Sequence, residues 1–147
     1  MSNAATPKLK GFARRLLVYE AASGTPADAK DSAAFRVCEK LRRPLVRLVG
    51  VDGFRSLLSR AVALACREIP WLCAVQTKAD GSFEGLEELE AKLDSRAITE
   101  GEVVLVGQLL GLLVIFIGPA LTLRLLHETW PKWTISNWEK DYRYEEK

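Results

Sequence analysis

A run of apolar residues from Val103 to Leu123 constrains the fold of this chain more than any other feature. It contains no charged residue, and Gln108 is its only strongly polar side chain. A helix needs roughly 20 such residues to cross a bilayer, whereas an apolar stretch of about 10–14 residues is more typical of a buried core helix. The run therefore predicts a long helix that either spans a membrane or fills the centre of a helical bundle.

The limits of this helix are predicted by the residues at its two ends. Thr99 and Glu102 have the spacing of a capping box, in which each side chain accepts a hydrogen bond from a backbone N–H of the first turn. Pro131 cannot continue a helix and disfavours helical geometry in the residue before it. We therefore predict one helix over residues 99–130.

Three amphipathic helices are predicted before the apolar run, over residues 8–22, 26–49 and 54–68. Thr25 and Pro26 are suited to begin the second helix. We expect Pro44 to kink that helix and Gly50–Gly53 to form a turn before the third. The apolar positions expected to face the core are Phe12, Leu16, Val18, Tyr19, Cys38, Leu41, Leu45, Leu48, Phe54, Leu57, Leu58, Ala61, Val62 and Ala65.

The segment between the third helix and the apolar run predicts smaller elements. A short β-hairpin is expected near residues 73–84, with a turn at Asp80-Gly81, followed by a short acidic helix over 86–93. Residues 80–85 resemble the first half of a calcium-binding EF-hand loop. The position that should carry a bidentate glutamate holds Ala91, so we expect no calcium site.

These elements predict an all-α fold, a helical bundle with one long central or membrane-spanning apolar helix. We divide the chain into an amphipathic helical region with a short acidic segment at 1–98, the long apolar helix at 99–130, and a polar, aromatic tail at 131–147. The length of 147 residues suits a single domain.

Several features favour the membrane over the core as the surroundings of the apolar helix. Gly107 and Gly111 have the spacing that lets membrane helices pack closely, and Gly118-Pro119 is tolerated better in membrane helices than in soluble ones. The aromatic residues expected as interfacial anchors are Trp130, Trp133 and Trp138. In the alternative interpretation, the glycines pack against helices of a soluble bundle and the tryptophans cover its end.

The second helix has a basic stripe that could bind an anionic partner. It consists of Arg36, Lys40, Arg43 and Arg47. Anionic lipid headgroups, a phosphate backbone or the acidic segment of a second copy would each complement it, and a solvated helix face is the alternative. The net charge of only +2, and the lack of aromatic residues among the basic ones, give no support to nucleic acid as the partner.

The cysteines and the N-terminus predict a cytoplasmic location. Cys38, Cys66 and Cys73 are an odd number without a CxxC pair, so we expect reduced, structural thiols. Arg14 and Arg15 interrupt the first apolar stretch, so we expect no cleaved signal peptide. The location predicted is the cytoplasmic side of a membrane, with a soluble cytoplasmic protein as the alternative.

Catalytic and cofactor signatures are lacking in the sequence. His127 is the only histidine and has no second histidine or cysteine at ligand spacing, so we expect no metal and no cofactor. It could act as a general base with a nearby carboxylate if it lay in a cleft, but we expect a non-enzymatic protein.

Three segments resemble a family of small, uncharacterised bacterial proteins: Phe12-Ala-Arg-Arg-Leu, Cys38-Glu-Lys-Leu-Arg-Arg-Pro-Leu and Gly111-Leu-Leu-Val-Ile-Phe-Ile-Gly118. The resemblance implies a bacterial origin and no activity.

Our leading functional hypothesis is a non-enzymatic, membrane-associated helical protein that acts through a protein partner or self-association. A fully soluble bundle serving as an adaptor or oligomeric interaction module is the alternative. A small enzyme using His127 is the third hypothesis.

Overall fold

The computed structural model describes residues 7–23, 32–78 and 83–132. Its elements are helix α1 (Pro7–Ser23), helix α2 (Ala33–Glu68), a 3-10 helix (Pro70–Ala74), strands β1 (Gln76–Thr77) and β2 (Phe83–Glu84), and helices α3 (Leu86–Glu90) and α4 (Ser95–Thr129). The strands pair antiparallel. The predicted all-α fold, with a long apolar helix and a small hairpin, is confirmed.

Each long helix is interrupted at one glycine. Gly50 has φ 82° and ψ 168°, and Gly118 has φ 84° and ψ 160°. Only glycine adopts this region readily, because a side chain would collide with the backbone. We name the resulting legs α2a (33–49) and α2b (51–68), and α4a (95–117) and α4b (119–129).

These breaks confirm one sequence prediction and correct another. The turn expected in Gly50–Gly53 occurs at Gly50, and the backbone angles at Pro44 are helical. The apolar run of 103–123 is not one continuous helix, because it is broken at Gly118.

The chain reverses direction at both breaks. Glu102 accepts hydrogen bonds from Ser32 and Ala34, and Trp130 shares the carboxylate of Glu20 with residues of α2a. A straight helix would hold residues 102 and 130 roughly 40 Å apart, at 1.5 Å per residue. Both ends of α4 thus lie near the start of α2, so α4 folds back on itself.

The same reasoning applies to α2. Trp71, just beyond its end, packs against Gly101, next to the residue that contacts the start of α2. The four legs therefore run up, down, up and down, and α1 packs against α2 and α4. Lys10 of α1 forms an ion pair of 2.6 Å with Glu68 at the end of α2b.

Residues 101–113 of α4a are all buried, so this part of the apolar run occupies the centre of the bundle. Most positions predicted to face the core are buried or half-buried, including every one predicted in α2b. Val18 and Leu48 are exceptions, since both are exposed. Local periodicity identified the buried face of each helix but not where that face ends.

Helix α4 begins earlier than predicted. The carboxylate of Asp94 accepts a hydrogen bond of 2.8 Å from the N–H of Ala97, so Asp94 is the capping residue. The predicted capping box at Thr99 and Glu102 is wrong, because both residues lie inside the helix. The predicted end before Pro131 is confirmed. The start predicted for the second helix at Thr25-Pro26 lies outside the described residues.

Cys66 and Cys73 form a disulfide, with their Cα atoms 4.8 Å apart. It joins the end of α2b to the 3-10 helix. The prediction of reduced thiols is wrong for this pair, whereas Cys38 is a buried free cysteine. Disulfides are typical of oxidising compartments. The cysteines therefore no longer support the predicted cytoplasmic location.

Candidate functional site

Both glycine breaks lie at the same end of the bundle. Leu48 precedes the first break and Leu121 follows the second, and these two side chains line one groove between α2a and α4b. We call residues 48–51 together with 115–121 the tip. The opposite end, where α2 and α4 begin, is the base.

Local sequence stabilises the break in α4. Pro119 follows Gly118 directly and suits the first turn of α4b, where a backbone N–H would have no helical partner. The hydroxyl of Thr122 donates a hydrogen bond of 2.8 Å to the carbonyl of Gly118. A Cβ atom at position 118 would meet nothing within 4 Å, so only backbone geometry requires glycine there.

The tip carries most of the exposed large apolar side chains found among the described residues. These are Leu48, Val49, Val51, Ile115 and Phe116, and one more, Val18, lies on α1. Ile115 and Phe116 are 72% and 69% exposed. Exposed apolar clusters on soluble domains mark surfaces that bind a protein or a membrane. The tip is therefore the strongest candidate for a functional surface.

Arginines surround this apolar tip. Within six residues of either break, the charged residues are Arg47, Arg55 and Arg124 against one carboxylate, Asp52. All four are exposed. The base carries exposed carboxylates at Glu84, Glu88, Asp94 and Glu100 beside exposed cations at Lys78, Lys92 and Arg96. The bundle thus has a basic, apolar tip and a base of mixed charge.

A buried carboxylate, Glu20, joins α1, α2a and the end of α4b. Its side chain is 2% exposed and accepts hydrogen bonds from Lys40 Nζ at 2.9 Å, Arg36 Nε at 3.3 Å and Trp130 Nε1 at 2.9 Å. The backbone carbonyl of Glu20 also accepts a bond of 3.2 Å from Arg36. These charge-assisted bonds compensate for removing the carboxylate from water.

This network divides the predicted basic stripe. Arg36 and Lys40 both pair with Glu20, whose single negative charge offsets one of their two positive charges. Arg43 and Arg47 are exposed. The half of the stripe nearer the tip is therefore more available to an anionic partner than the half that pairs with Glu20.

The helix-packing and anchor residues predicted for a membrane span have other surroundings. Gly107 and Gly111 are buried within α4a, inside the bundle. Trp130 is buried at the base and bonded to Glu20, so its prediction as an interfacial anchor is wrong. Trp133 and Trp138 lie outside the described residues.

Helix α4 is the one described helix that is long and apolar enough to span a membrane by length and composition. In its most apolar window, 61% of the residues are buried inside the fold. The exposed remainder includes Ile115 and Phe116 at the tip. The apolar helix therefore serves mainly as the core and presents apolar side chains outward only beside its break.

A second buried carboxyl group, Glu102, lies at the base. Burial raises the pKa of Glu102, and hydrogen bonds with Glu90, Ser32 and the N–H of Ala34 oppose that rise, as does the charge of Arg36. A hydrogen bond between two carboxyl groups requires one proton between them. Burial outweighs the opposing hydrogen bonds and charge, so the protonated form of Glu102 is favoured in the folded protein relative to the unfolded chain.

We expect Glu102→Gln to change the dependence of stability on pH. Because the folded pKa of Glu102 exceeds its unfolded value, its stabilising contribution is complete below the unfolded pKa and is lost as pH rises through the folded pKa. The free energy of unfolding of the variant, minus that of the parent protein, should therefore increase with pH from the acidic side. Urea unfolding at a series of pH values measures this difference.

Glu100→Gln is the matched control, since Glu100 lies on the same helix with an exposed side chain. It should leave the pH slope close to that of the parent. If the free energies of unfolding of Glu102→Gln and the parent differ by the same amount at every pH, the raised pKa of Glu102 is contradicted.

The described residues offer little to the enzyme hypothesis. His127 is exposed rather than in a cleft. Burial, followed by the charges of Glu39 and Glu102, raises the pKa of Cys38 to about 12, which keeps this thiol unreactive. No group of three metal-ligating side chains occurs in the described ranges. Residues 80–82 of the segment that resembles an EF-hand loop lie outside the described residues.

Sequence reasoning missed the residues that define the tip and the buried network. Ile115, Phe116 and Gly118 were included in one uninterrupted helix, although the Gly-Pro pair was a signal for a break. Glu20 was not among the residues predicted to be buried, because its partner Trp130 is 110 residues away in sequence.

Comparison of the chain with protein-family models, curated proteins and solved structures finds no match, so a functional argument depends on the geometry of the tip.

Proposed function

We propose that this protein is a non-enzymatic helical bundle that associates with a membrane surface through its tip and acts by binding a protein partner or a second copy. The observation that carries the proposal is the apolar tip, where exposed Ile115 and Phe116 share one end of the bundle with exposed arginines. Apolar side chains beside basic ones are typical of surfaces that insert into the bilayer interface.

The geometry of α4 favours insertion of the tip over a span. The apolar part of α4a, residues 103–117, is about 22 Å long at 1.5 Å per residue. The hydrocarbon layer is about 30 Å thick. Most of this leg is also covered by other helices, so a span would require the bundle to open and expose its core. Shallow insertion requires no such change.

Ile115→Ser combined with Phe116→Ser should weaken binding to lipid vesicles about tenfold or more, because the two side chains would no longer enter the apolar layer. Both residues are largely exposed, so the free energy of unfolding should change by less than about 0.5 kcal/mol each. Co-sedimentation with vesicles and urea unfolding measure the two effects.

Val18→Ser is the matched control, because Val18 is 64% exposed but lies on α1 rather than at the tip. It should leave vesicle binding unchanged. A parent protein that stays in solution at all vesicle concentrations would refute the proposed membrane association.

The second candidate is a soluble bundle whose tip binds another copy. Burial of residues 101–113 within one chain favours it, since the core needs no lipid to cover it. Light scattering of the detergent-free protein separates the candidates. A discrete oligomer that the Ile115→Ser and Phe116→Ser changes convert to monomer, without vesicle binding, would support the soluble module.

A further inference from the structure

A groove lies between α2a and α4b beside the tip. It is lined by Pro44, Arg47, Leu48, Leu121, Arg124, Leu125 and Glu128, with a volume of about 140 Å³. A groove of this volume has room for several water molecules or for one small polar group. This is the size of a phosphate group and much less than a whole lipid.

Two arginines bring positive charge to this groove from opposite walls. Arg47 comes from α2a and Arg124 from α4b, and both are exposed. Glu128 also lines the groove, one helical turn farther from the tip than Arg124. An anion would therefore bind on the tip side, between the two guanidinium groups. Guanidinium groups suit phosphate because their N–H groups can donate two parallel hydrogen bonds.

The depth of these arginines matches the headgroup layer. Arg47 is three residues from Gly50 and Arg124 is six residues from Gly118, which places them about 4.5 Å and 9 Å along their helices from the breaks. Amphipathic segments bury their apolar faces about 5–10 Å into the boundary between headgroups and acyl chains. With the tip inserted to that depth, both arginines lie level with lipid phosphates.

We infer that this groove binds the phosphate of an anionic phospholipid, which no choline ammonium offsets in charge, so that the tip selects anionic membranes. The inference rests on the proposed membrane association and adds its lipid preference. A bilayer accounts for both parts of the surface, since its phosphates meet Arg47 and Arg124 while its acyl chains cover Leu48 and Phe116. A free phosphate or a nucleic acid would leave those apolar side chains in water.

Arg47→Gln combined with Arg124→Gln tests the inference with vesicles of phosphatidylcholine alone and of phosphatidylcholine mixed with phosphatidylglycerol. The parent should bind the mixed vesicles more tightly. The double variant should bind the mixed vesicles about 30-fold more weakly than the parent, at about fivefold per arginine near an anionic surface. Its binding to phosphatidylcholine alone should change little. Arg47→Lys combined with Arg124→Lys should retain most of the preference.

Lys92→Gln combined with Arg96→Gln is the control, because it removes the same charge from exposed residues at the base. It should change binding less than about twofold, since those residues lie beyond the Debye length from the tip. An equal loss in the control would overturn the groove as the site.

Equal binding of the parent to both vesicle types would overturn the lipid preference and leave membrane association intact. Failure to bind either vesicle type would overturn both proposals. Inorganic phosphate, at the phosphate concentration of the vesicles and constant ionic strength, should not displace the protein. Displacement would overturn the lipid as occupant in favour of a free-anion site.

Discussion

Glu20→Gln should lower the free energy of unfolding by about 3 kcal/mol, because it removes the carboxylate of a buried ion-pair network. Removing one partner of a buried ion pair costs about 3–5 kcal/mol, because it leaves the other charge without compensation. Glu20 is 2% exposed, and Arg36 opposite it has a side chain that is 12% exposed. Urea unfolding should show a lower midpoint with an unchanged slope.

Glu39→Gln makes the same chemical change in an outer ion pair. Glu39 bonds Arg42 at 2.8 Å, but their side chains are 36% and 26% exposed. Pairs of this kind contribute about 0–1 kcal/mol, so this variant should lose less than about 1 kcal/mol. Equal losses in the two variants would contradict a special role for Glu20 in joining α1 to α2a and α4b.

Gly118→Ala should destabilise the protein by about 2 kcal/mol. A side chain at φ 84° and ψ 160° is strained by about 1–3 kcal/mol even where space is open. The substitution also favours a continuous α4, which cannot place residues 102 and 130 at the same end of the bundle. Thermal or urea unfolding measures the loss.

Gly11→Ala provides a control of opposite sign. Gly11 lies within α1, and an added Cβ would meet nothing within 4 Å. Alanine is better than glycine in a helix by about 1 kcal/mol, so this variant should gain up to that amount. If Gly118→Ala were also stabilising, α4 would not need the reversal at Gly118.

Together these two predictions connect stability to the candidate surface. The reversal at Gly118 brings Ile115 and Phe116 to the end of the bundle where Arg47 and Arg124 lie. The Glu20 network holds the end of α4b against α2a, on the same pair of legs that forms the groove. Loss of either feature should therefore weaken membrane binding indirectly, through the arrangement of the legs.

Part of the candidate site could be predicted from the sequence. Arg43 and Arg47 belong to the predicted basic stripe and are exposed. The pairing of Arg36 and Lys40 with Glu20 could not be predicted, because that carboxylate lies on a different helix. The groove could not be predicted either. Its walls come from segments about 75 residues apart in sequence, and the packing of α2a against α4b brings them together.

The existence of the helices and most of their buried faces follow from local sequence patterns. Apolar periodicity, the glycine turn at Gly50 and the stop before Pro131 are local signals, so they survive whatever the helices pack against. The surroundings of the apolar run are visible only in the tertiary structure, because helices in a bilayer and helices in a protein core have the same apolar composition. Packing encloses residues 101–113, and the break at Gly118 leaves Ile115 and Phe116 outside.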